Sequence, residues 1–234
     1  IRYIDIMMQQ RAYDAAFKIY KFGKHSEIST VDHKILSLRN IAVTVGRKIV
    51  PSYQLFEDYF STSTMDVVDD LIRIQFIEPI SSASDDQRRA MVVNALKYEV
   101  LWFGALQNLY DAAAGCNQND ARFEIAKQQW DIGAAMIIGS SQSTGNNDGD
   151  LLYSLAASLC KTFNTCDSRT GEAKINQKIE EALFAGSYEL KFKQCKLVKE
   201  FANTIENLMK IPLIQATLDA AVKNHEEARG TEAQ

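Results

Sequence analysis

Apolar residues along this chain recur mostly at spacings of three and four, which is the repeat of an α-helix rather than of a β-strand. Eleven glycines and three prolines in 234 residues leave few helix breakers. No shift in composition marks a boundary, and no repeat of 20 to 50 residues is visible. The pattern predicts an all-α fold, an irregular bundle of about eight to ten helices forming a single domain over residues 1–234.

Four helices are predicted in the first third of the chain. The first covers Arg2 to Phe22 and is ended by Gly23. The second begins near Thr30 or Asp32 and stops before Pro51, because a proline disfavours a helical residue in front of it. Two shorter helices follow over residues 53–60 and 66–76.

A long central helix is predicted from Ser84 to Ala114. Ser84 and Gln87 have the spacing of a capping box, in which a hydroxyl and an amide side chain satisfy the first turn. The residues that follow are apolar on two helical faces, which is typical of a helix in the middle of a bundle. Gly115 stands where a left-handed C-cap residue is expected.

The second half is predicted to hold four more helices around one long loop. A helix carrying Phe123 to Ile137 precedes the loop 139–150, and another covers Leu151 to about Cys160. After a polar turn that contains Cys166, two helices are predicted over residues 190–209 and 212–228. Pro212 suits the first turn of the last one.

Charge and motifs exclude several classes of function. The 26 basic and 30 acidic residues show no run of Lys or Arg, so we expect no nucleic-acid partner. No run of about 18 apolar residues predicts a transmembrane segment. The three histidines, His25, His33 and His225, are expected at the surface, and no hydrolase, kinase or dehydrogenase motif is present. We therefore predict that the chain is not an enzyme.

The cysteine content indicates the kind of cellular compartment in which the chain folds. An even set of four fits two disulfides and an oxidising environment, although four reduced, buried thiols remain an alternative. Three pairings are open, and the set is Cys116, Cys160, Cys166 and Cys195. Because the first residue is Ile1 rather than Met, we expect a processed chain that is extracellular, periplasmic or at a cell surface.

A metal site is the remaining candidate chemistry. Ferric iron is a hard cation that prefers carboxylate and phenolate oxygens. Asp111, Asp131 and Tyr153 are candidate ligands in the second half, although their spacing does not single them out.

Five segments, taken together and in this order, resemble the Fe-assimilating, low-iron-inducible periplasmic protein family of algae, which includes the phytotransferrins. The segments are YKFGKHS from Tyr20, SDDQRR with the following helix to Cys116, WDIGAAMIIGS from Trp130, DLLYSLAASLCKTFNTC from Asp150 and MKIPLIQATLDAA from Met209.

The resemblance implies a secreted or cell-surface α-rich domain that serves iron uptake under iron starvation. It implies oxidised cysteines, and it supports Asp131 and Tyr153 as ligands for Fe³⁺, with carbonate as a further ligand. The partner would be iron itself or a cell-surface uptake complex.

The chain also departs from the family pattern. Gln107 and Asn108 stand where the family has His and Glu, and loss of charged ligands weakens a cation site. The alternative prediction is therefore a non-catalytic structural or interaction subunit of a larger assembly that has lost metal binding.

Overall fold

The structure, a computed structural model, confirms the all-α prediction for the part of the chain that it describes. Outside the helices and turns, these residues contain one isolated antiparallel bridge between Cys166 and Ala173. The chain divides into two compact units, Ile1–Tyr110 and Asp111–Gln234, and the single-domain organisation stays a prediction. The described residues are 1–23, 37–44, 50–60, 67–77, 83–139 and 151–232, with side chains excepted at 77 and 224–232.

Unit 1 is built around the predicted long helix. That helix runs from Asp85 to Gly115, and its central residues 96–100 form a π-helical segment. The capping box is confirmed, because Ser84 accepts from the Gln87 backbone N–H while the Gln87 side chain accepts from that of Ser84. The helices are α1 (Arg2–Gln9), α2 (Tyr13–Phe22), α3 (Leu38–Thr44), α4 (Pro51–Phe60), α5 (Val67–Ile77), α6 (Asp85–Ala95) and α7 (Leu101–Gly115), whose residues from Asp111 onwards belong to unit 2.

The prediction of one helix from Arg2 to Phe22 is wrong. The chain leaves the helix at Arg11, whose φ of 57° is left-handed. The N–H groups of Arg11 and Ala12 donate to the carbonyls of Met8 and Met7, which is the Schellman pattern that usually requires glycine. Arg11 also pairs with Asp85 at 2.8 Å, so a contact distant in sequence supports the strained turn. The start of the predicted second helix, with His25 and His33, lies outside the described residues.

One ionic network lies in the core of unit 1. Asp69 on α5 is only 2% exposed, and its Oδ1 accepts from the Tyr20 hydroxyl at 2.7 Å. Arg39 on α3 donates to both carboxylate oxygens at 3.1 Å. The network therefore ties α2, α3 and α5 together through one buried carboxylate. It satisfies a charge that would otherwise be costly to bury.

Unit 2 departs from the predicted helices after Cys166. The apolar pattern predicts no helix over residues 174–189, where the structure has α10. The predicted start of a helix at Pro212 is also wrong, because Pro212 is buried inside α11. The loop 140–150 lies outside the described residues. The helices are α8 (Asp120–Ile138), α9 (Leu152–Leu159), α10 (Lys174–Lys191) and α11 (Cys195–Glu232).

The end of α10 was not predicted because, like the end of α1, it is formed by a left-handed residue that is not glycine. Lys193 has a φ of 54°, and the N–H groups of Lys193 and Gln194 donate to Leu190 and Glu189 in a second Schellman pattern without glycine. Gly115, by contrast, was predicted to be left-handed and is helical. A Cβ at Gly115 would lie 3.1 Å from Cβ of Ala126, so close packing on α8 accounts for this glycine.

Trp130 anchors the core of unit 2. Its indole Nε1 donates to the carbonyl of Leu183 on α10 at 3.0 Å, and the side chain is 1% exposed. The ring lies against Gly186, where an added Cβ would be 2.1 Å from ring carbon Cζ2. The Trp130–Gly186 contact therefore sets how closely α8 and α10 approach.

Candidate functional site

The three predicted iron ligands all lie in unit 2, on three different helices. Asp111 is half-buried in the last turns of α7, and Asp131 is exposed on α8 directly after Trp130. Tyr153 is half-buried in the first turn of α9. Across the described ranges, no three His, Cys, Asp or Glu side chains are grouped so that they could hold a metal ion. The ligand set Asp111, Asp131 and Tyr153 stays a prediction.

Tyr153 does have carboxylate neighbours, which the sequence pattern does not predict. Its hydroxyl is hydrogen-bonded to Glu180 on α10, and the charge of Glu172 acts on it as well. Burial first, and then these two acids, raise the pKa of Tyr153 to about 12. The phenol therefore keeps its proton at neutral pH, and a cation would have to displace that proton to bind. Glu180 was overlooked because α10 itself was not predicted.

Asn176 fixes the backbone of Tyr153. It is 2% exposed, and its Nδ2 donates to the Tyr153 carbonyl at 2.9 Å. Because Asn176 and Glu180 are four residues apart, they lie on the same face of α10. Asn176 Oδ1 is buried and accepts no hydrogen bond from protein atoms. One helical face thus positions both the backbone and the hydroxyl of Tyr153.

The four predicted cysteines form two disulfides, both within unit 2, which confirms the prediction of two bridges. Cys116 pairs with Cys195 across 79 residues, and Cys160 pairs with Cys166. The shorter bridge precedes a turn in which Asp167 accepts from the backbone N–H groups of Arg169 and Thr170. These two bonds lower the pKa of Asp167. Two structural disulfides are typical of proteins that fold in an oxidising compartment.

Unpaired buried polar atoms mark the π-helical segment of unit 1. One carboxylate oxygen of Glu99 and the indole Nε1 of Trp102 are buried without a hydrogen-bond partner. Burial raises the pKa of Glu99. π-helical segments often occur at functional sites. A cleft of about 470 Å³ beside Met8 and Asp85 is not lined by either residue.

The outer faces of two unit 2 helices are apolar. On α10 and its C-cap residue, three aromatic side chains are spaced by four residues and are all more than half exposed: Phe184, Tyr188 and Phe192. On α11, one stripe is exposed by 40%, 57%, 52% and 56% along its length. We call it the α11 stripe, and its members are Ile211, Ile214, Leu218 and Val222. Large exposed side chains in such rows exceed the scattered single residues of ordinary surfaces.

Two lysines near the α11 stripe are each paired with an acid on the same helix. Lys210 lies 3.8 Å from Glu206, and Lys223 lies 2.7 Å from Asp219. Both are pairs at a spacing of four residues, so each neutralises its partner on the same helix face. Among the described side chains, the α11 stripe is therefore an apolar surface next to two ion pairs that carry no net charge.

Comparison with known proteins found no similar protein. No protein-family model, curated protein or solved structure matches the chain. In the described residues, no helix is both long enough and apolar enough to cross a membrane.

Proposed function

We propose that this chain is a non-catalytic interaction subunit that acts outside the reducing cytosol by docking a helix of a protein partner. The observation that carries the proposal is the α11 stripe. Its members are spaced by three, four and four residues, so they occupy one face over about three helical turns. That spacing is the one by which amphipathic helices pack against each other.

The C-terminal part of α11 lacks a packed face, which gives a physical reason for such a partner. Of the side chains described beyond Gln215, residues 216–223, each is exposed or half-buried. Short helices without a packed face are marginal in water, because their nucleation cost is repaid mainly by tertiary packing. An apolar face on this part of α11 therefore supports a function in which a partner supplies the missing packing.

The first test is hydroxyl-radical footprinting of the native protein before and after its isolation. We expect oxidation of the α11 stripe to be several-fold lower before isolation, because a partner would shield Ile214 and Leu218 from solvent. Met91, exposed on α6 of unit 1, serves as an internal reference whose oxidation stays unchanged. Equal oxidation of the α11 stripe in both samples would contradict a docking function.

Iron binding is the second candidate function, and the acids around Tyr153 favour it. Glu180 and Glu172 gather negative charge at a phenol, and such oxygens suit a hard cation. Because binding through Tyr153 would release its proton, affinity for Fe³⁺ should rise with pH below the Tyr153 pKa of about 12.

Calorimetric titration of the chelator-stripped chain with a weak ferric chelate, with and without carbonate, tests this candidate. An iron site would give saturable binding that Tyr153→Phe weakens at least tenfold. Asp131→Ala would weaken it too if the predicted ligand set were right. Under the interaction-subunit proposal, we expect no saturable uptake by the wild type, and saturable uptake would make iron binding the better account.

A further inference from the structure

We propose that the turn between α10 and α11 docks the protein on a membrane that contains anionic lipid, with aromatic rings inserted among the headgroups. We call residues 188–199 the basic corner, which comprises the last turn of α10, the connecting residues and the start of α11. This surface differs from the α11 stripe, and the inference does not depend on the docking function proposed above. It rests on exposed apolar side chains, on the lysines around them and on the small size of the patch.

Three large apolar side chains of the basic corner are exposed. Tyr188 is 53%, Phe192 is 59% and Leu197 is 39% exposed. The centroids of the Tyr188 and Phe192 rings lie 4.9 Å apart, so the two rings form one continuous apolar surface. Aromatic and leucine side chains on a helix surface enter the boundary between lipid headgroups and acyl chains. The basic corner therefore presents side chains that a bilayer can cover.

Lysines surround these apolar side chains. Residues 188–199 contain four lysines, all of them exposed, and one acid, Glu189, which is half-buried. Lys191 and Lys199 form no ion pair within the part of the chain that the structure describes. The chain as a whole has a net charge of −4 at pH 7. Positive charge is therefore concentrated at this corner of an acidic protein, which would orient the protein on an anionic surface.

The other two lysines are in loose, exposed pairs. Lys193 lies 3.5 Å from Asp120 and 4.5 Å from the centroid of the Phe123 ring. Lys196 lies 3.9 Å from Glu200, and its side chain is 91% exposed. Exposed ion pairs of this kind contribute little to stability, so a lipid phosphate can replace the carboxylate. An anionic membrane thus meets two unpaired lysines and two lysines whose partners are weakly held.

The size and composition of the patch favour a lipid surface over an acidic protein. Protein interfaces are depleted of lysine, and a standard one needs about 20 to 30 residues a side with matching shapes. Three apolar side chains among lysines are far fewer. A bilayer is fluid and needs no matching shape. Lysine side chains can lay their methylene groups along the apolar patch while their ammonium groups reach the lipid phosphates.

The other exposed apolar surfaces of unit 2 lack this charge. Phe184, at the opposite end of the aromatic row on α10, lies one turn from Glu180 and Glu181, and anionic headgroups repel such carboxylates. The α11 stripe lies next to two ion pairs without net charge, which do not attract anionic lipid. Charge complementarity therefore assigns membrane docking to the basic corner.

Co-sedimentation of the full, oxidised chain with lipid vesicles tests the inference. The probe is a phosphatidylcholine vesicle with about 30% phosphatidylglycerol, an anionic lipid that also occurs on membrane faces outside the cytosol. Salt is kept at about 0.1 M, where exposed charges act over about 10 Å. We expect saturable binding to these vesicles and at least tenfold weaker binding to pure phosphatidylcholine.

Two double variants locate the contact. Lys191→Gln with Lys199→Gln should weaken binding at least tenfold, because one lysine near an anionic surface contributes about fivefold. Lys174→Gln with Lys178→Gln is the matched control, since it removes the same charge from exposed positions of α10 that lie about 20 Å or more from Lys191 along the helix. Its binding should stay within about twofold of the wild type. Circular dichroism should show that both variants keep the helical fold.

Phe192→Ser tests the insertion of the rings. It should weaken binding several-fold and leave the salt dependence of binding unchanged, because it removes apolar surface and no charge. Unchanged binding of this variant would overturn insertion. Absence of binding to the anionic vesicles, equal binding to both kinds of vesicle or equal losses in the two double variants would overturn docking through the basic corner. Absence of binding would also make an acidic protein the better occupant of this surface.

Discussion

Gly186→Ala should lower the free energy of unfolding of unit 2 by about 2–3 kcal/mol, the upper range of overpacking effects. The added methyl group would lie 2.1 Å from ring carbon Cζ2 of Trp130, which is far inside van der Waals contact. The indole cannot swing away freely, because its Nε1 is bonded to the Leu183 carbonyl and the ring is fully buried. The expected loss exceeds the helix-propensity gain of about 1 kcal/mol that alanine normally brings. Chemical denaturation followed by circular dichroism measures it.

Two variants control this prediction. Gly115→Ala adds a methyl group 3.1 Å from Cβ of Ala126, a contact that a small shift relieves, so we expect a change below about 1 kcal/mol. Trp130→Phe removes the ring carbons that clash. In a double-mutant cycle, Gly186→Ala should therefore cost less in the Trp130→Phe background than in the wild type. Additive effects would show that the Trp130–Gly186 contact is not the cause.

Asp69→Ala should destabilise unit 1 by about 3 kcal/mol or more, the usual loss when one partner of a buried ion pair is removed. The substitution takes the acceptor from the buried Tyr20 hydroxyl and from both donor groups of Arg39. Because the Arg39 side chain is 35% exposed, water can partly solvate it, which places the loss near the lower end of that range. Thermal unfolding with a probe in unit 1 measures the change.

The neighbouring residue provides a close control. Asp70 pairs with Arg73 at 2.8 Å, and the two side chains are 47% and 46% exposed. An exposed pair of this kind contributes at most about 1 kcal/mol. We therefore expect Asp70→Ala to change stability by less than a third of the effect of Asp69→Ala. If both substitutions lowered the free energy of unfolding by similar amounts, the cause would be the loss of a negative charge from α5 in general, and not the loss of the buried Asp69 carboxylate.

The Trp130–Gly186 contact also bears on how the resemblance to algal iron-assimilation proteins is understood. Trp130 begins one of the five segments that carry the resemblance, and its observed role is to pack α8 against α10. Asp131 follows it on the exposed side of the same helix. Packing thus explains Trp130. The iron titration of the Asp131→Ala variant tests whether Asp131 is a ligand.

The positions of several helices and the number of disulfides could be predicted from the sequence alone. The spacing of apolar residues predicted the long helix from Ser84, the helix of Phe123 to Ile137 and the short helix after Leu151, because burial of one face follows directly from the helical repeat. The Ser84 capping box involves atoms only three residues apart, so its geometry is local. The number of cysteines predicted two bridges but left their pairing open.

Tertiary structure decided the helix ends that carry no local signal. The turns at Arg11 and Lys193 take a left-handed residue without glycine, and near each turn a contact distant in sequence holds the chain: Arg11 with Asp85, and Cys195 with Cys116. Such contacts contribute energy that no short window of sequence contains. The neighbours of Tyr153 were hidden for the same reason, since Glu180 reaches it only through the packing of α10 on α9. The sequence by itself thus determined which residues are apolar on a helical face and are therefore buried. Only the tertiary structure decided where those helices end and which side chains are in contact.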